Sequence, residues 1–401
     1  MDKVERSSAR PRDRRATIIL SAIDLFSKHG FDPVKISDIG DAAGVSAGAV
    51  YRHVSSKQEL LDQPIREMVV VGYAVTLIAA ERSASPEDAL HKMISEMVLV
   101  SVDRPQVVSL WHREARRLSS DVRAELVAVR ALTVERWVDA ITAVRPDISR
   151  YTAEFRVRAS WGLLNCAPLV TNGLSRRRFL SLLESLVAAV ILDPEQQVPE
   201  PSELRPAATG NLTTSSRAEE IVLRGAQLFR AQGYQQVGIN NIGEAAGIRG
   251  PSVYNWFPSK GDLLYEILKR AADAFDTIGV DPSIGDPVRR ITEMTDAYIS
   301  MAMTYQDFIA VHATDRQHLP DERREDIERR RSRRVAIWVD ELHGARPTLP
   351  NSTTRVLLLA TFEMVMAVAR SRRYGGSAAT EALLRELALA ALMCNLVDAP
   401  A

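Results

Sequence analysis

The stretch ISDIGDAAGVSAGAVYRHV, residues 36–54, decides how the chain is read. Ile36 and Ile39, with Ala42 and Ala43, recur at the three-to-four spacing that places them on one face of a short helix. Gly40 and Ala43 are small enough to let a second helix come close. Gly44 stands where the chain must turn left-handed, which Gly does without steric cost. Val45 plugs the small core, and the Ser46 hydroxyl is a good N-cap for the free N–H groups of the next helix. That helix, residues 47–54, turns Val50 and Val54 inward and leaves Ala47, Gly48, Ala49, Arg52 and His53 outward. Two short helices joined in this way make a helix-turn-helix, whose second helix enters the major groove of DNA.

The same pattern is written twice. Sliding the sequence by 203 positions lays residues 18–61 on 221–264 without a gap, and 18 of the 44 pairs are identical. The second copy of the motif is INNIGEAAGIRGPSVYNWF, residues 239–257. There Gly247 makes the turn, Ile248 plugs it, Pro251 falls in the first turn where its missing N–H costs little, and Val253 and Phe257 face inward. A fainter echo at an offset of 201 pairs Leu118 with Leu319, Trp137 with Trp338, Arg145 with Arg346 and Pro146 with Pro347. The chain is one unit of about 200 residues written twice, too long a period for a solenoid. Residues 193–216, polar and holding four prolines, read as the linker.

Apolar stripes at helical period run through 121–144, 149–172, 176–192, 322–342 and 353–370, with Pro and Gly between them and no run of clean alternation. The fold class is all-α. The predicted organisation is a charged arm (1–15), a three-helix head (16–62), a helical domain (63–192), the linker (193–216), a second head (217–265) and a second helical domain (266–401). Lysine plus arginine equals aspartate plus glutamate, 51 each, so nucleic-acid binding must rest on local motifs rather than bulk charge. Two cysteines, Cys166 and Cys394, fit neither a disulfide framework nor a zinc site, and point to a reducing cytoplasm. The longest apolar run, 356–369, is interrupted by Glu363 and falls short of the ~18 residues of a membrane span. The N-terminus has no signal-peptide core. No metal spacing, cofactor motif or catalytic constellation is found. The one G-x-S-x-G match, residues 44–48, follows a helix instead of the strand a nucleophile elbow needs, and its repeat has Arg249 for Ser46, so an enzyme is not expected.

Leu25-Phe26, Gly30-Phe31, Ile39, Ala42-Ala43-Gly44-Val45-Ser46, Tyr51, His53, Lys57 and Leu60-Leu61 together resemble the DNA-binding signature of the TetR family of bacterial transcription regulators. Leu228-Phe229, Gly233-Tyr234, Ile242, Ala245-Ala246-Gly247-Ile248, Pro251-Ser252-Val253-Tyr254, Phe257, Lys260 and Leu263-Leu264 do so again. The resemblance implies two TetR-like units, each a head plus an effector and dimerisation domain whose last two helices enter a four-helix bundle. It implies that Ala47, Gly48, Ala49 and Arg52, and Gly250, Pro251, Ser252 and Asn255, approach base edges, flanked by Ser46 and Arg249. Tyr51, His53 and Lys57, and Tyr254, Trp256 and Lys260, would hold phosphates. Lys35 replaces the usual Thr or Ser before the first motif helix and can still reach a phosphate; Gly238 cannot. Val54 in place of Phe predicts a looser first head.

Arg52 favours guanine and Asn255 favours adenine, so the expected partner is an asymmetric double-stranded operator under an intramolecular pseudo-dimer. Trp111, Phe155, Trp161, Asn165, Phe308, Trp338 and Phe362 are the candidate lining of pockets for an apolar, lipid-like effector. The double-headed layout also resembles the tandem regulators of mycobacterial mammalian-cell-entry lipid-import operons, which implies repression of lipid-related genes. The Arg-rich stretch 323–334 reads as a solvated helix face with i,i+4 pairs. A regulator with one DNA-reading head and one protein-interaction unit stays open beside the two-headed reading.

Overall fold

The computed structural model describes residues 11–169, 173–192, 216–279, 281, 283–374, 377–394 and 396. The linker reading for 193–215 and most of the N-terminal arm lie outside them. Among the described residues the chain is helical, without strands.

The first unit runs α1 (Pro11–His29), α2 (Ile36–Ala42), α3 (Ala47–Val50), α4 (Lys57–Glu81), α5 (Pro86–Asp103), α6 (Pro105–Glu114), α7 (Ser120–Val144), α8 (Arg150–Leu164) and α9 (Arg176–Leu192). The second repeats it with α10 (Arg217–Gln232), α11 (Ile239–Ala245), a 3-10 turn (Gly250–Asn255) where α3 stood, α12 (Lys260–Asp276), α13 (Pro287–Thr304), α14 (Gln306–Asp315), α15 (Asp321–Ala345), α16 (Asn351–Arg370) and α17 (Ala378–Met393). The first described helix begins at Pro11, inside the range 1–15 expected for the arm.

Three cores hold the chain. Head 1 buries Ile18, Phe26, Ile39, Val50, Val54 and Leu60, and Leu110 of α6 and Leu126 of α7 complete that core. Head 2 buries Ile221, Phe229, Ile242, Val253 and Leu263, completed by Val311 of α14 and Ile327 of α15. Each head therefore shares its interior with its own helical domain and cannot shift without moving α6 or α14. The third core pools both units: α8 packs on α16 and α9 on α17, a four-helix bundle inside one chain. Gly162 allows the crossing, since a Cβ there would lie 2.7 Å from the Met364 Cα. The fully buried Trp137 and Trp338 anchor the two halves of this core, and truncating either costs about 3–5 kcal/mol.

The bundle corrects the reading of the apolar runs. With a mean hydropathy of 1.4, α16 is by length and composition apolar enough to cross a membrane. It is instead the central helix of the shared core, and Glu363 on it faces Arg331 at 3.9 Å. Val54 is buried in head 1 while Phe257 is only half-buried in head 2, so the smaller residue does not loosen its head.

Candidate nucleic-acid interface

The two motifs are built alike. Gly44 has φ +66° and Gly247 φ +67°, and the next residue's N–H returns to the helix before it, Val45 to Gly40 O and Ile248 to Gly243 O, each at 2.8 Å. Neither Lys35 nor Gly238 caps its helix with a side chain. The third helical residue makes the reverse bond, back to the residue before the helix: Asp38 accepts the Lys35 N–H at 2.7 Å and Asn241 accepts the Gly238 N–H at 2.9 Å. The bond that a Thr or Ser side chain would take from the first helical turn is therefore missing at both positions, and only the reciprocal half of a capping box is made.

The reading elements then differ. In head 1 the Ser46 hydroxyl oxygen accepts the Ala49 N–H at 3.2 Å and starts a true α-turn. In head 2 Arg249 has no acceptor to offer and Pro251 no N–H to give, and residues 250–255 wind as a tighter 3-10 turn. Both elements are shorter than the predicted eight-residue helices; α3 ends at Val50 and Tyr51 to His53 continue as a turn.

Tyr51 is 55% exposed and Tyr254 50%, too open for core aromatics. Trp256 is 41% exposed, and Lys35, Ser46, Gly48, Arg52, Arg249, Pro251 and Asn255 also face solvent, with Ala47, Ala49, His53 and Ser252 half-buried beside them. Gly250 corrects the prediction. It is buried against α11, with its Cα where a Gly243 Cβ would stand, at 2.7 Å, and it offers nothing to a base. The same close approach in head 1 brings Gly40 to the backbone of Val45 and Ala47.

Lys57 and Lys260 also differ from expectation. Lys57 Nζ donates to Asp32 O at 3.2 Å and sits 4.3 Å from the Phe31 ring centroid. Lys260 Nζ donates to Tyr234 O at 2.9 Å and Val237 O at 3.0 Å, 4.3 Å from the Tyr234 ring centroid. Both ammonium groups brace their own heads, and burial pulls their pKa values down. Arg15 was not foreseen: from α1 it donates to His53 O at 3.1 Å and pairs with Glu59 at 2.8 Å, clamping the end of the reading turn.

Of the expected pocket residues, four line cavities. Trp111, Trp161 and Asn165 line one of about 350 Å3 in the first unit, which the second unit closes with Val368, Arg370 and Tyr374. Phe362 lines one of about 160 Å3 in the second unit, beside Phe275, Tyr298 and His312, where Asn165 reappears. The other three are core. Phe155 is fully buried edge-on against Tyr374 at 4.9 Å. Phe308 completes the head 2 core, and Trp338 packs on Phe362, Tyr298 and Phe275. Burial and two nearby guanidinium groups hold His112 neutral, its pKa lowered to about 3. The same forces, burial first, push His312 well below its ordinary value.

The Arg-rich face is also corrected. Arg330 pairs with Asp273 at 2.5 Å and Asp276 at 2.6 Å, and Arg323 with Asp262 at 2.5 Å, all across to α12. These arginines clamp two helices, whereas Arg324 and Arg329 of the same stretch keep surface pairs along their own helix with Asp321 and Asp326, at i,i+3 spacing. Among the described residues no group of three His, Cys, Asp or Glu side chains is placed to hold a metal.

The family model described as bacterial regulatory proteins, tetR family, matches residues 18–63 and again 221–267. A second model, the tetracyclin repressor-like C-terminal domain, matches residues 285–394. The chain belongs to the TetR family. Among its relatives, the HTH-type transcriptional repressor KstR2 of Mycobacterium tuberculosis is 26% identical over 153 residues, which is 36% of this chain and 76% of that protein. The HTH-type transcriptional regulator BetI of Agrobacterium fabrum is 26% identical over 144 residues, 35% of this chain and 70% of that one. The solved structure of the M. tuberculosis ketosteroid transcriptional regulator KstR2 aligns with a TM-score of 0.40 and 21% identity over 44% of this chain and 93% of that one. The chain is thus a tandem TetR protein, in which the family's head domain occurs twice in one polypeptide.

Proposed function

We propose that this tandem TetR chain represses transcription from an asymmetric operator, each head reading a different half-site. The observation that carries the reading is the pair of unlike surfaces: exposed Gly48 and Arg52 with half-buried Ala49 in head 1, exposed Pro251 and Asn255 with half-buried Ser252 in head 2. Arg reads guanine N7 and O6 in the major groove, whereas Asn reads adenine N6 and N7. A symmetric dimer presents the same surface to both half-sites. The internal bundle supports the same reading, since it fills with the chain's own second unit the place a second subunit would take. Repression follows the matched relative, itself a repressor.

Ligand release is the second part of the reading. Both cavities are lined mainly by apolar side chains and lie beside α6 and α14, which complete the head cores. A lipid-like effector seated there shifts α6 or α14 and with it the spacing of the heads, a shift between DNA-competent and incompetent populations. The regulated genes are then concerned with lipid-like compounds. The reading in which only one unit touches DNA loses ground to the matched exposure of Tyr51 and Tyr254.

Footprinting with single-base operator variants tests the two-headed reading. Arg52→Ala relaxes discrimination at a guanine in one half-site, by about 1–3 kcal/mol. Asn255→Ala does so at an adenine in the other. Loss at the same half-site from both substitutions contradicts it.

A further inference from the structure

We propose that the first unit's cavity binds an organic acid: a modest apolar body whose carboxylate seats between Arg130 and Arg370. This deepens the ligand-responsive reading and rests on it. Three arginines line the cavity, Arg130, Arg158 and Arg370, and no carboxylate does. Arg158 is already paired with Glu154 at 2.8 Å. Arg130 lies between two indoles, 5.1 Å from the Trp111 ring centroid and 5.6 Å from that of Trp161. Among the described residues neither the Arg130 nor the Arg370 guanidinium has a hydrogen-bond or ion-pair partner. The Trp161 Nε1–H is buried without an acceptor as well. Both guanidinium groups are half-buried, and although Glu363 acts on Arg370 from the neighbouring cavity, neither is ion-paired, so a planar carboxylate that matches the guanidinium fork gains two charge-assisted partners. His112, held neutral between the two arginines and hydrogen-bonded to Asn165, supplies no counter-charge.

The second unit shows what is missing. At the offset of 201, Arg130 corresponds to Arg331 and Gly162 to Glu363. Arg331 faces Glu363 at 3.9 Å. Gly162 has no side chain, and the Met364 backbone occupies the space where one would start. The second unit thus carries a carboxylate beside its arginine, whereas the first has none at the corresponding position. The walls, Met68, Val69, Met97, Trp111 and Trp161, are apolar. A cavity of about 350 Å3 is the share of about a dozen waters, so the acid has on the order of a dozen non-hydrogen atoms.

The test uses the purified full chain without DNA. It is titrated with straight-chain carboxylates of about six to twelve carbons and with the matching primary alcohols, followed by tryptophan fluorescence and melting temperature. The best acid binds at least about 10-fold tighter than its alcohol. Arg130→Met and Arg370→Met each erase that preference, Arg331→Met keeps it, and Arg130→Lys, which retains charge without the fork, weakens it should the methionine variant not fold. Equal binding of acids and alcohols, a preference that survives Arg130→Met, or an absence of binding by every acid overturns the assignment. An acid that binds in this way yet leaves the operator complex intact supports the site and instead refutes the ligand-release reading.

Discussion

The buried carboxylate of Glu114, at the end of α6, accepts the backbone N–H of Phe31 in head 1 at 3.3 Å. At the offset of 201, Asp315 at the end of α14 accepts the N–H of Tyr234 in head 2, also at 3.3 Å. Each helical domain thus grips its head just after the first head helix. Arg116 extends the grip across the pseudo-dimer: it donates to Phe229 O at 2.9 Å and Arg230 O at 3.1 Å, and meets Asp315 at 3.4 Å. A displacement of α6 therefore reaches both heads.

Glu114→Ala leaves the Phe31 N–H without its acceptor and destabilises the chain by about 1–3 kcal/mol. Glu114→Gln keeps an acceptor. Burial pushes the Glu114 carboxyl up, so between its unfolded and folded pKa values the native state holds the proton and stability falls as pH rises through that window. Glu114→Gln removes this part of the pH dependence. Urea melts of the three proteins from pH 4 to 7 check it; identical pH dependence contradicts the assignment.

Tyr51→Phe and Tyr254→Phe each weaken operator binding by about 5- to 30-fold, the worth of one phosphate hydrogen bond of roughly 1–2 kcal/mol. Melting temperatures stay unchanged because both side chains are exposed. Gel-shift titrations at fixed salt measure it. One silent tyrosine demotes its head to a protein-interaction role.

Gly250→Ala and Gly48→Ala part in opposite directions. A Cβ on Gly250 would fall 2.0 Å from Asn240 Oδ1 and 2.8 Å from Asn240 Cα, whereas at Gly48 nothing lies within 4 Å. The first substitution destabilises by about 1–3 kcal/mol through overpacking. The second is neutral or stabilises by up to about 1 kcal/mol. Thermal denaturation separates them; equal effects refute the packing account.

His112 and His312 are half-buried and held neutral by desolvation first and nearby guanidinium groups second, and the unfolded chain binds protons they refuse. Below the unfolded pKa of about 6.5, and down to about 3 for His112, stability is lost on acidification at up to about 1.4 kcal/mol per pH unit for each. His112→Asn flattens the slope between pH 6 and 5, read from denaturant midpoints. An unchanged slope contradicts burial in the neutral form.

The legible parts of this molecule were those with short-range causes. Gly44 and Gly247 announce a left-handed turn because no other residue enters it cheaply. The inward valines and the repeat follow from spacing alone. The offset between Gly250 and Ala47 was visible too, but their unlike burial was not, because it depends on how closely α11 approaches. Phe155, Phe308 and Trp338 were indistinguishable from Trp111 and Trp161, since an aromatic on an apolar stripe packs equally well into a core or around a cavity. Glu114 and Phe31, 83 positions apart, meet only after folding. Their one sequence signal was an acidic residue at the same place in both repeats.

The central claim is that one chain carries two different readers. Selection of binding sites from a random DNA library, with the purified chain at stated salt, tests it most directly. The account predicts two unlike half-sites in fixed order and spacing, with Tyr51→Ala blurring one and Tyr254→Ala the other. A perfect palindrome, or a single half-site that only one substitution disturbs, contradicts it.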